Sequence, residues 1–255
     1  MKYKIIFSDI DGTIINSQHV MSDKTKEVLM KLDIPVVLVS ARMPQGIHTI
    51  QQQFDNQDPI ICYSGALVLD NQNILYDAGI DKDEADGIYK ELIQCQDVSV
   101  STYCYDHWYC QNYDEWVKQE EQITSLKAQV GYFDNEKKVH KFLCMAKSDD
   151  IDRLEAKMKK LYPHLAIYKS KSTYLEIMSG KTSKLEAIKV LLKHYHISIE
   201  DSLSFGDNYN DLDMLQNTGM SFAMANAPEQ IKKQIGRVTA SNDEDGIVYA
   251  IKNLI

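Results

Sequence analysis

Residues 3–13 carry the sequence YKIIFSDIDGT. The apolar run predicts a strand over 3–9 that is buried on both faces, as strands of a parallel sheet are. The run ends at Asp9, and Asp11 and Gly12 follow, where glycine allows a tight turn. Open parallel sheets bind ligands at the carboxyl ends of their strands. The segment therefore predicts a buried first strand with two carboxylates at the end where ligands bind.

The rest of the chain continues an alternation of helices and strands on both sides of a central insert. Before the insert we predict a helix at 23–32, a strand at 34–40, a helix at 44–54 and a strand at 60–63. After it we predict helices at 184–194, 210–217, 228–235 and 243–254, with strands at 202–206 and 220–223. This alternation indicates an α/β fold with a Rossmann-like parallel sheet.

The central stretch has a different pattern. It predicts hairpins at 66–76 and 100–112, helices at 81–94, 114–127 and 149–161, and strands at 139–146, 166–169 and 173–178. Neighbouring strands joined by short turns indicate an antiparallel α+β module. We therefore expect a discontinuous core of residues 1–79 and 184–255, with an α+β cap domain inserted at 80–183.

Composition excludes several classes of protein. The chain has 255 residues, 44% hydrophobic and 25% charged, which are globular values. Its net charge of −9 argues against nucleic acid or an anionic membrane as a partner. No apolar stretch reaches the ~18 residues of a membrane span. The five cysteines are irregularly spaced, which is typical of free thiols in a reducing cytoplasm. We expect a cytoplasmic monomer or homodimer.

A second acidic cluster follows the strand predicted at 202–206. Asp207 comes directly after that strand, and Asn210 and Asp211 stand where they can cap the next helix. Carboxylates from two strand ends offer oxygen ligands to a hard cation. Mg²⁺ suits one or two carboxylates together with water and a substrate phosphate.

Residues suited to phosphate follow the second strand and open the helix after the insert. The hydroxyl of Ser40 and the N–H groups of Ala41 and Arg42 lie at a helix entrance, which favours anions. Lys184 lies in the first turn of the later helix. Together with the two acidic clusters, these residues indicate a phosphoryl-transfer site. A cation and a lysine neutralise phosphate charge there while an aspartate attacks.

The sequence at these positions resembles the haloacid dehalogenase-like phosphatase superfamily. Its four motifs match FSDIDGT at 7–13, Ser40, Lys184 and GDNYND at 206–211. The insert resembles the C2B-type cap of the Cof-like subgroup, and the resemblance covers essentially the whole chain. The subgroup usually has Thr-Gly-Arg where this chain has SAR at 40–42, and often Asn-Gly-Ala where it has SGA at 64–66.

The resemblance implies a Mg²⁺-dependent phosphatase acting on a small phosphorylated metabolite, a sugar phosphate or a cofactor phosphate. Asp9 would attack phosphorus and form an aspartyl-phosphate, and Asp11 would serve as general acid and base. The metal ligands would be Asp9, Asp207 and the backbone carbonyl of Asp11. The cap domain would determine which substrate is accepted.

The remaining residues would support this chemistry. Asn210 and Asp211 would orient metal-bound water or Lys184, and Asn210 would also contribute to substrate binding. The phosphoryl oxygens would be held by Ser40, the Ala41 N–H and Lys184, with help from Arg42. Two alternatives remain open. A phosphomutase on the same scaffold would return the phosphoryl group to its substrate, and a phosphate- or metal-binding regulator would bind without turnover.

Overall fold

The computed structural model describes residues 2–254. In that range the strands are β1 (Ile5–Ser8), β2 (Val36–Val39), β3 (Ile60–Cys62), β4 (Leu67–Asp70), β5 (Asn73–Asp77), β6 (Ile80–Asp81), β7 (Ser99–Cys104), β8 (His107–Cys110), β9 (Gln129–Val130), β10 (Lys138–Val139), β11 (Lys141–Met145), β12 (Ala166–Lys171), β13 (Tyr174–Met178), β14 (Ser202–Gly206) and β15 (Met220–Ala223). The α-helices are α1 (Asp23–Met30), α2 (Pro44–Gln51), α3 (Lys82–Ile93), α4 (Glu115–Thr124), α5 (Ser148–Leu161), α6 (Lys184–His194), α7 (Leu212–Asn217), α8 (Glu229–Ile235) and α9 (Gly246–Asn253).

The first compact unit contains residues 1–42, 47–76 and 183–255 and is built on a seven-stranded sheet. The strand order is β15-β14-β1-β2-β3-β4-β5, and the first five strands run parallel. The strands β1 and β2 are buried throughout, and apolar except for Ser8, because helices cover both faces of such a sheet. The predicted α/β class with a parallel sheet is confirmed.

Helices α6, α7 and α8 pack on one face of this sheet. Ile5, Phe7 and Val37 contribute to that hydrophobic core together with Ile188 of α6 and Met214 of α7. A buried aliphatic side chain contributes roughly 1.5–3 kcal/mol to folding. This packing fixes the start of α6 and the carboxyl ends of β1 and β14, where the predicted polar residues lie.

The second compact unit contains residues 43–46 and 77–182. Its six-stranded sheet has the order β12-β13-β11-β7-β8-β9, and the strands are antiparallel except for β8 and β9. A separate two-stranded ribbon joins β6 to β10. Helices α3 and α5 pack on the face that carries Val100, Phe142 and Leu175. The unit therefore has the predicted α+β architecture.

Three predicted elements are divided in the structure. The strand predicted at 139–146 breaks at His140, because β10 pairs with β6 while β11 pairs with β7. The helix predicted at 210–217 begins as a 3-10 turn over Tyr209–Asp211. The helix predicted at 243–254 is interrupted at Asp245, whose φ of 55° is incompatible with a continuous right-handed helix.

Within residues 2–254, the helices are all too short or too polar to cross a membrane.

Candidate active site

Two carboxylates lie at the ends of neighbouring parallel strands. Asp9 directly follows β1, and its backbone N–H donates to Phe205 O of β14 at 3.0 Å. Asp207 directly follows β14, and its Oδ1 accepts a hydrogen bond from Thr13 Oγ1 at 2.8 Å. Because β1 pairs with β14 in parallel register, the two acidic loops leave the sheet side by side.

Gly12 allows these loops to approach closely. Its φ of +83° is a conformation that side-chain-bearing residues rarely adopt. A Cβ at this position would lie 2.4 Å from Asp207 Oδ2, well inside van der Waals contact. The glycine of the first motif therefore makes room for the aspartate of the fourth.

Lys184 binds the two acidic loops together. Its Nζ donates to Asp9 Oδ1 at 2.6 Å, to Asp211 Oδ1 at 2.5 Å and to Val39 O at 3.3 Å. The residue is only 1% exposed. Buried ammonium groups are tolerated when they are paired and hydrogen-bonded, as this one is.

The start of α6 holds Lys184 in place. Ser183 is the N-cap residue, and its hydroxyl accepts from the Glu186 N–H at 3.2 Å. The same hydroxyl donates to Asp213 Oδ2 at 2.6 Å, and the Leu185 N–H donates to that oxygen at 3.2 Å. Asp213 belongs to α7, so two helices fix the position of the lysine.

Asp211 organises the second acidic loop. Its Oδ1 accepts from Lys184, while its Oδ2 accepts from the backbone N–H groups of Asp207 at 3.0 Å and Asn208 at 2.9 Å. A Cβ at Gly206 would lie 2.7 Å from the Cβ of Asp211, so glycine is needed at that strand end. With both oxygens engaged, Asp211 is suited to holding Lys184 and the loop.

The carboxylates shift one another's protonation. Burial, together with the charges of Asp211 and Asp11, raises the pKa of Asp207 to about 6, against the Thr13 hydrogen bond and the charge of Lys184. Burial also raises the pKa of Asp9, while the positive charge of Lys184 works in the opposite direction. Burial alone would lower the pKa of Lys184, but Asp211 and Asp9 outweigh it and the pKa is raised.

These charges fit a divalent cation. Carboxylate oxygens of Asp9, Asp207 and Asp211 all lie within 4.8 Å of one another. Three carboxylates face one ammonium, which leaves two negative charges uncompensated at this cluster. Oxygen ligands with an excess of negative charge are what hard cations prefer.

Asp11 and Arg42 form a separate pair. Arg42 Nε donates to Asp11 Oδ2 at 2.8 Å and its Nη2 donates to Asp11 Oδ1 at 2.6 Å. Such a two-pronged contact fixes the orientation of a carboxylate. The sequence indicated that Arg42 contacts phosphate, whereas the structure places its guanidinium on Asp11.

The loop after β2 carries the remaining predicted phosphate contacts. Ser40 is buried, and its Oγ accepts from the Arg42 N–H at 3.2 Å. Its carbonyl accepts from the Ser64 N–H at 2.9 Å, which ties the ends of β2 and β3 together. Ala41 lies between these anchors and is half-buried. Ser40 and Ala41 therefore lie in a loop of defined shape.

Asn210 differs from its neighbours. It is exposed, and the loop is capped instead by Asn208, whose side chain accepts from the Tyr209 N–H at 2.8 Å. The expectation that Asn210 caps the helix was wrong, because a 3-10 turn moves the cap two residues earlier. The roles of Thr13, Asn208 and Asp213 were not predicted. The signal in the sequence was the residue type of Asn208, since asparagine is among the preferred N-cap residues.

The chain matches known proteins over nearly its whole length. Residues 6–251 match the model of the haloacid dehalogenase-like hydrolases. A Haemophilus influenzae protein named "Putative phosphatase" is 34% identical over 260 residues, covering 99% of this chain and 98% of that protein. A 5-amino-6-(5-phospho-D-ribitylamino)uracil phosphatase of Bacillus subtilis is 26% identical over 283 residues, with 99% and 98% covered.

Solved structures agree with these matches. The crystal structure of a haloacid dehalogenase-like hydrolase from Bacteroides thetaiotaomicron has a TM-score of 0.91 and 26% identity, covering 99% of this chain and all of that chain. A Thermotoga maritima protein has the same TM-score and identity, covering 98% of this chain and 97% of its own. The chain therefore belongs to the haloacid dehalogenase-like hydrolases, and it is a phosphatase of that family.

Proposed function

We propose that this phosphatase hydrolyses a small phosphorylated metabolite, a sugar phosphate or a cofactor phosphate, through an aspartyl-phosphate intermediate and with Mg²⁺. The observation that carries the proposal is the environment of Asp9. Its carboxylate lies at the end of a parallel strand, receives a 2.6 Å hydrogen bond from a buried lysine and stands beside two further carboxylates. A nucleophile held in this way needs little reorganisation before attack.

In the first half-reaction an oxygen of Asp9 attacks phosphorus and the bond from phosphorus to the alcohol oxygen breaks. Asp11 gives its proton to the leaving alkoxide. In the second half-reaction Asp11 takes a proton from water, which attacks phosphorus and releases inorganic phosphate. Asp9 is then a free carboxylate again. The Arg42 contact holds Asp11 in one orientation between these steps.

The charge of the transferring group is offset by residues around it. Lys184, the hydroxyl of Ser40 and the N–H of Ala41 are the groups we assign to the phosphoryl oxygens. Such donors act strongly because they are held before the reaction begins. Lys184 is both buried and fixed by Asp211, which supports this role.

The residues that would hold Mg²⁺ are Asp9, Asp207 and the backbone carbonyl of Asp11. Asp211 would orient these ligands through its hydrogen bonds to the loop that carries Asp207. Asn210 is exposed and would lie close to water and substrate. When bound, the cation supplies positive charge that offsets the phosphoryl oxygens. The uncompensated charge of the carboxylate cluster supports this assignment.

We assign the choice of substrate to residues 80–183. The B. subtilis relative is named for a phosphorylated ribityl compound, which is consistent with a small organic phosphate here. The chain acts as a monomer or a homodimer in the cytoplasm. Its five cysteines are all free thiols, which fits a reducing compartment.

The test is release of inorganic phosphate from p-nitrophenyl phosphate by the full-length protein. We expect turnover with Mg²⁺ and its loss in EDTA, with recovery when Mg²⁺ is added in excess. A phosphomutase would convert a sugar phosphate without releasing phosphate. A regulator would bind phosphate and release none, and either of these results would contradict the proposal.

A further inference from the structure

The second compact unit contains a cavity at one end of its six-stranded sheet. The cavity has a volume of about 480 Å³, which lies in the range of pockets that bind small molecules. Its lining includes Ser99 at the start of β7, Asp114 and Trp116 at the start of α4, and Lys147 and Asp150 at the start of α5. All of these residues belong to the second unit, so the cavity needs no residue of the first.

The cavity lies at the end of the sheet that is far from both ends of the inserted segment. That segment begins at Asp77, which accepts a hydrogen bond from Tyr105 directly after β7. It ends at Thr182, shortly after β13 ends at Met178, and β13 runs in the same direction as β7 because both are antiparallel to β11. Ser99 is the first residue of β7, so about 17 Å of strand separates it from the connected end.

The hydroxyl of Ser99 is a buried polar group on the side of the sheet where the cavity lies. Among residues 2–254 it is one of the buried side-chain oxygens without a hydrogen-bond partner, and the residue is only 7% exposed. Ser99 pairs with Met145, which pairs with Tyr174, so the three side chains point to the same face of the sheet. The Trp116 ring contacts the Tyr174 ring edge-on, with centroids 6.4 Å apart. The Ser99 side chain therefore points to the face on which Trp116 lines the cavity.

Negative charge dominates the lining of the cavity. It carries the carboxylates of Asp97, Asp114 and Asp150 and the ammonium group of Lys147. Arg153 lies in an adjoining recess and donates from its Nη2 to Asp150 Oδ1. Three carboxylates with two cations leave one negative charge. A ligand with a single positive charge would neutralise it, whereas an anion would be repelled.

The spacing of the carboxylates favours an organic cation over a metal ion. Among residues 2–254, the group of three carboxylates whose oxygens all lie within 4.8 Å of one another is Asp9, Asp207 and Asp211 of the first unit. The carboxylates of the cavity do not converge in this way, so they cannot jointly enclose a metal ion. An ammonium group donates three hydrogen bonds to separate acceptors, and the face of an indole ring attracts it.

We propose that the cavity binds a small organic amine in its ammonium form. The ammonium group donates to the carboxylates of Asp97 and Asp114, and the apolar part of the ligand contacts Val98 and the ring of Trp116, which line the same cavity. The hydroxyl of Ser99 gains the hydrogen-bond partner that the protein does not supply. This site belongs to the second unit alone, and the inference does not rest on the proposed function.

The experiment is a calorimetric titration of the full-length protein with 2-phenylethylamine, which carries one ammonium group and one aromatic ring. The neutral counterpart is 2-phenylethanol. The variants are Asp97→Asn and Asp114→Asn. Both should fold, because asparagine tolerates the positive φ of 65° at Asp97 and is a favourable N-cap residue in place of Asp114. The matched control is Glu115→Gln, which removes an exposed carboxylate next to Asp114 and outside the lining.

We expect saturable binding of the amine that weakens at least about fivefold in Asp97→Asn and in Asp114→Asn, as for one lost charged hydrogen bond. Glu115→Gln should change the affinity less than about twofold, because an exposed carboxylate outside the cavity is screened by water. The alcohol should bind at least about fivefold more weakly than the amine. Asp9→Asn should bind the amine as the parent protein does, since Asp9 belongs to the acidic cluster of the first unit.

Three results would overturn the inference. The first is the absence of saturable amine binding, or equal affinities in the parent protein and both cavity variants. The second is equal affinity for the alcohol, which would mean that only the ring is bound. The third is a loss of binding in Asp9→Asn, which would place the amine at the candidate active site. The titration measures no phosphate release, so a failure of the proposed function would leave its result unchanged.

Discussion

The two sheets of this protein place their polar residues differently. The parallel strands of the first sheet are buried, their polar side chains are serines such as Ser204 of β14, and the charged residues stand beyond the strand ends, as Asp9 does after β1. In the six-stranded sheet polar residues lie within the strands, as Ser101 and Glu176 do, on the face opposite the hydrophobic core. Period-two alternation gives the second sheet a face separate from its hydrophobic core, whereas strands covered on both faces offer no such place to a charged side chain.

The cluster around Lys184 also differs from two residues of the six-stranded sheet in how its polar groups are paired. Lys184 and Asp211 are buried in the first unit and each makes several hydrogen bonds within the protein. Ser101 and Trp108 are equally buried in the second unit and leave polar atoms unpaired. A fully paired cluster is rigid before any ligand arrives, which suits bond making and breaking.

The largest effect is expected at the strand end itself. Asp9→Asn removes the attacking carboxylate while keeping its shape, so kcat should fall at least ~10³-fold if the reaction is covalent. Phosphate release from p-nitrophenyl phosphate measures it. Asp201→Asn is the control, since that carboxylate forms only a surface pair with Lys4. Activity near the parent level in Asp9→Asn would remove Asp9 from the mechanism.

The paired cluster should also be costly to disrupt. Lys184→Met leaves Asp9 and Asp211 buried without their common cation, and breaking a buried pair costs about 3–5 kcal/mol. Urea unfolding measures the free energy of unfolding. Lys189→Met on the same helix removes an exposed pair with Glu186 and should cost less than about 1 kcal/mol. Equal costs for the two variants would show that the buried cluster contributes no special stability.

Much of the first unit could be predicted from the sequence, for a physical reason. Strands buried on both faces are often continuous apolar runs, as β2 and β3 are. The helix α6 (Lys184–His194) and the strand β14 (Ser202–Gly206) have the predicted bounds. The second unit was harder. The segment predicted as one strand at 139–146 has the sequence VHKFLCMA, and its parts pair with different partners. Which strands pair depends on tertiary contacts, and the local sequence pattern does not determine them.

The candidate site shows the same limit. The motifs and their spacing predicted Asp9, Asp207, Asp211 and Lys184 as site residues, and in the structure these four side chains lie in one cluster. Spacing could not show that Arg42 turns to Asp11, because that contact depends on how two loops are oriented. Asn208 was missed for a related reason. A 3-10 turn and an α-helix begin with the same residue types, so the sequence did not fix the cap.

Gly12 tests how closely the two strand-end loops must approach. Gly12→Ala would place a Cβ 2.4 Å from Asp207 Oδ2, so the two loops would have to move apart. A misplacement of about 1 Å can lower kcat/KM about 10²-fold. Gly236→Ala is the matched control. Gly236 also has a positive φ of 74°, but no atom lies within 4 Å of the added Cβ. It should lose about 1 kcal/mol of stability and keep its activity. Similar kinetic losses in both variants would indicate backbone strain rather than crowding at Asp207.

The smallest effect is expected in the second unit, at the carboxylate of Asp77, which several contacts hold. Asp77 accepts from Tyr105 Oη at 2.7 Å and from the Gly79 N–H at 3.0 Å, and His140 Nε2 lies 3.3 Å away. Burial alone would raise the pKa of Asp77, but these three contacts outweigh it and hold the pKa well below its ordinary value. Asp77→Asn should therefore cost about 2 kcal/mol of stability at pH 7.

The stability that Asp77 contributes should depend on pH. A carboxyl whose pKa is depressed by folding stabilises the protein fully above its unfolded pKa of about 3.9, and that contribution is lost as pH falls toward the folded value. The difference in unfolding free energy between Asp77→Asn and the parent should be constant from pH 7 to about 5 and shrink below about pH 4. Lys138 Nζ lies 3.7 Å from Asp77 Oδ1 and 3.8 Å from Oδ1 of the exposed Asp81, so Asp81→Asn is the control and should show almost no difference at any pH. A gap that widens on acidification would mean that the protonated form of Asp77 is the one that the fold stabilises.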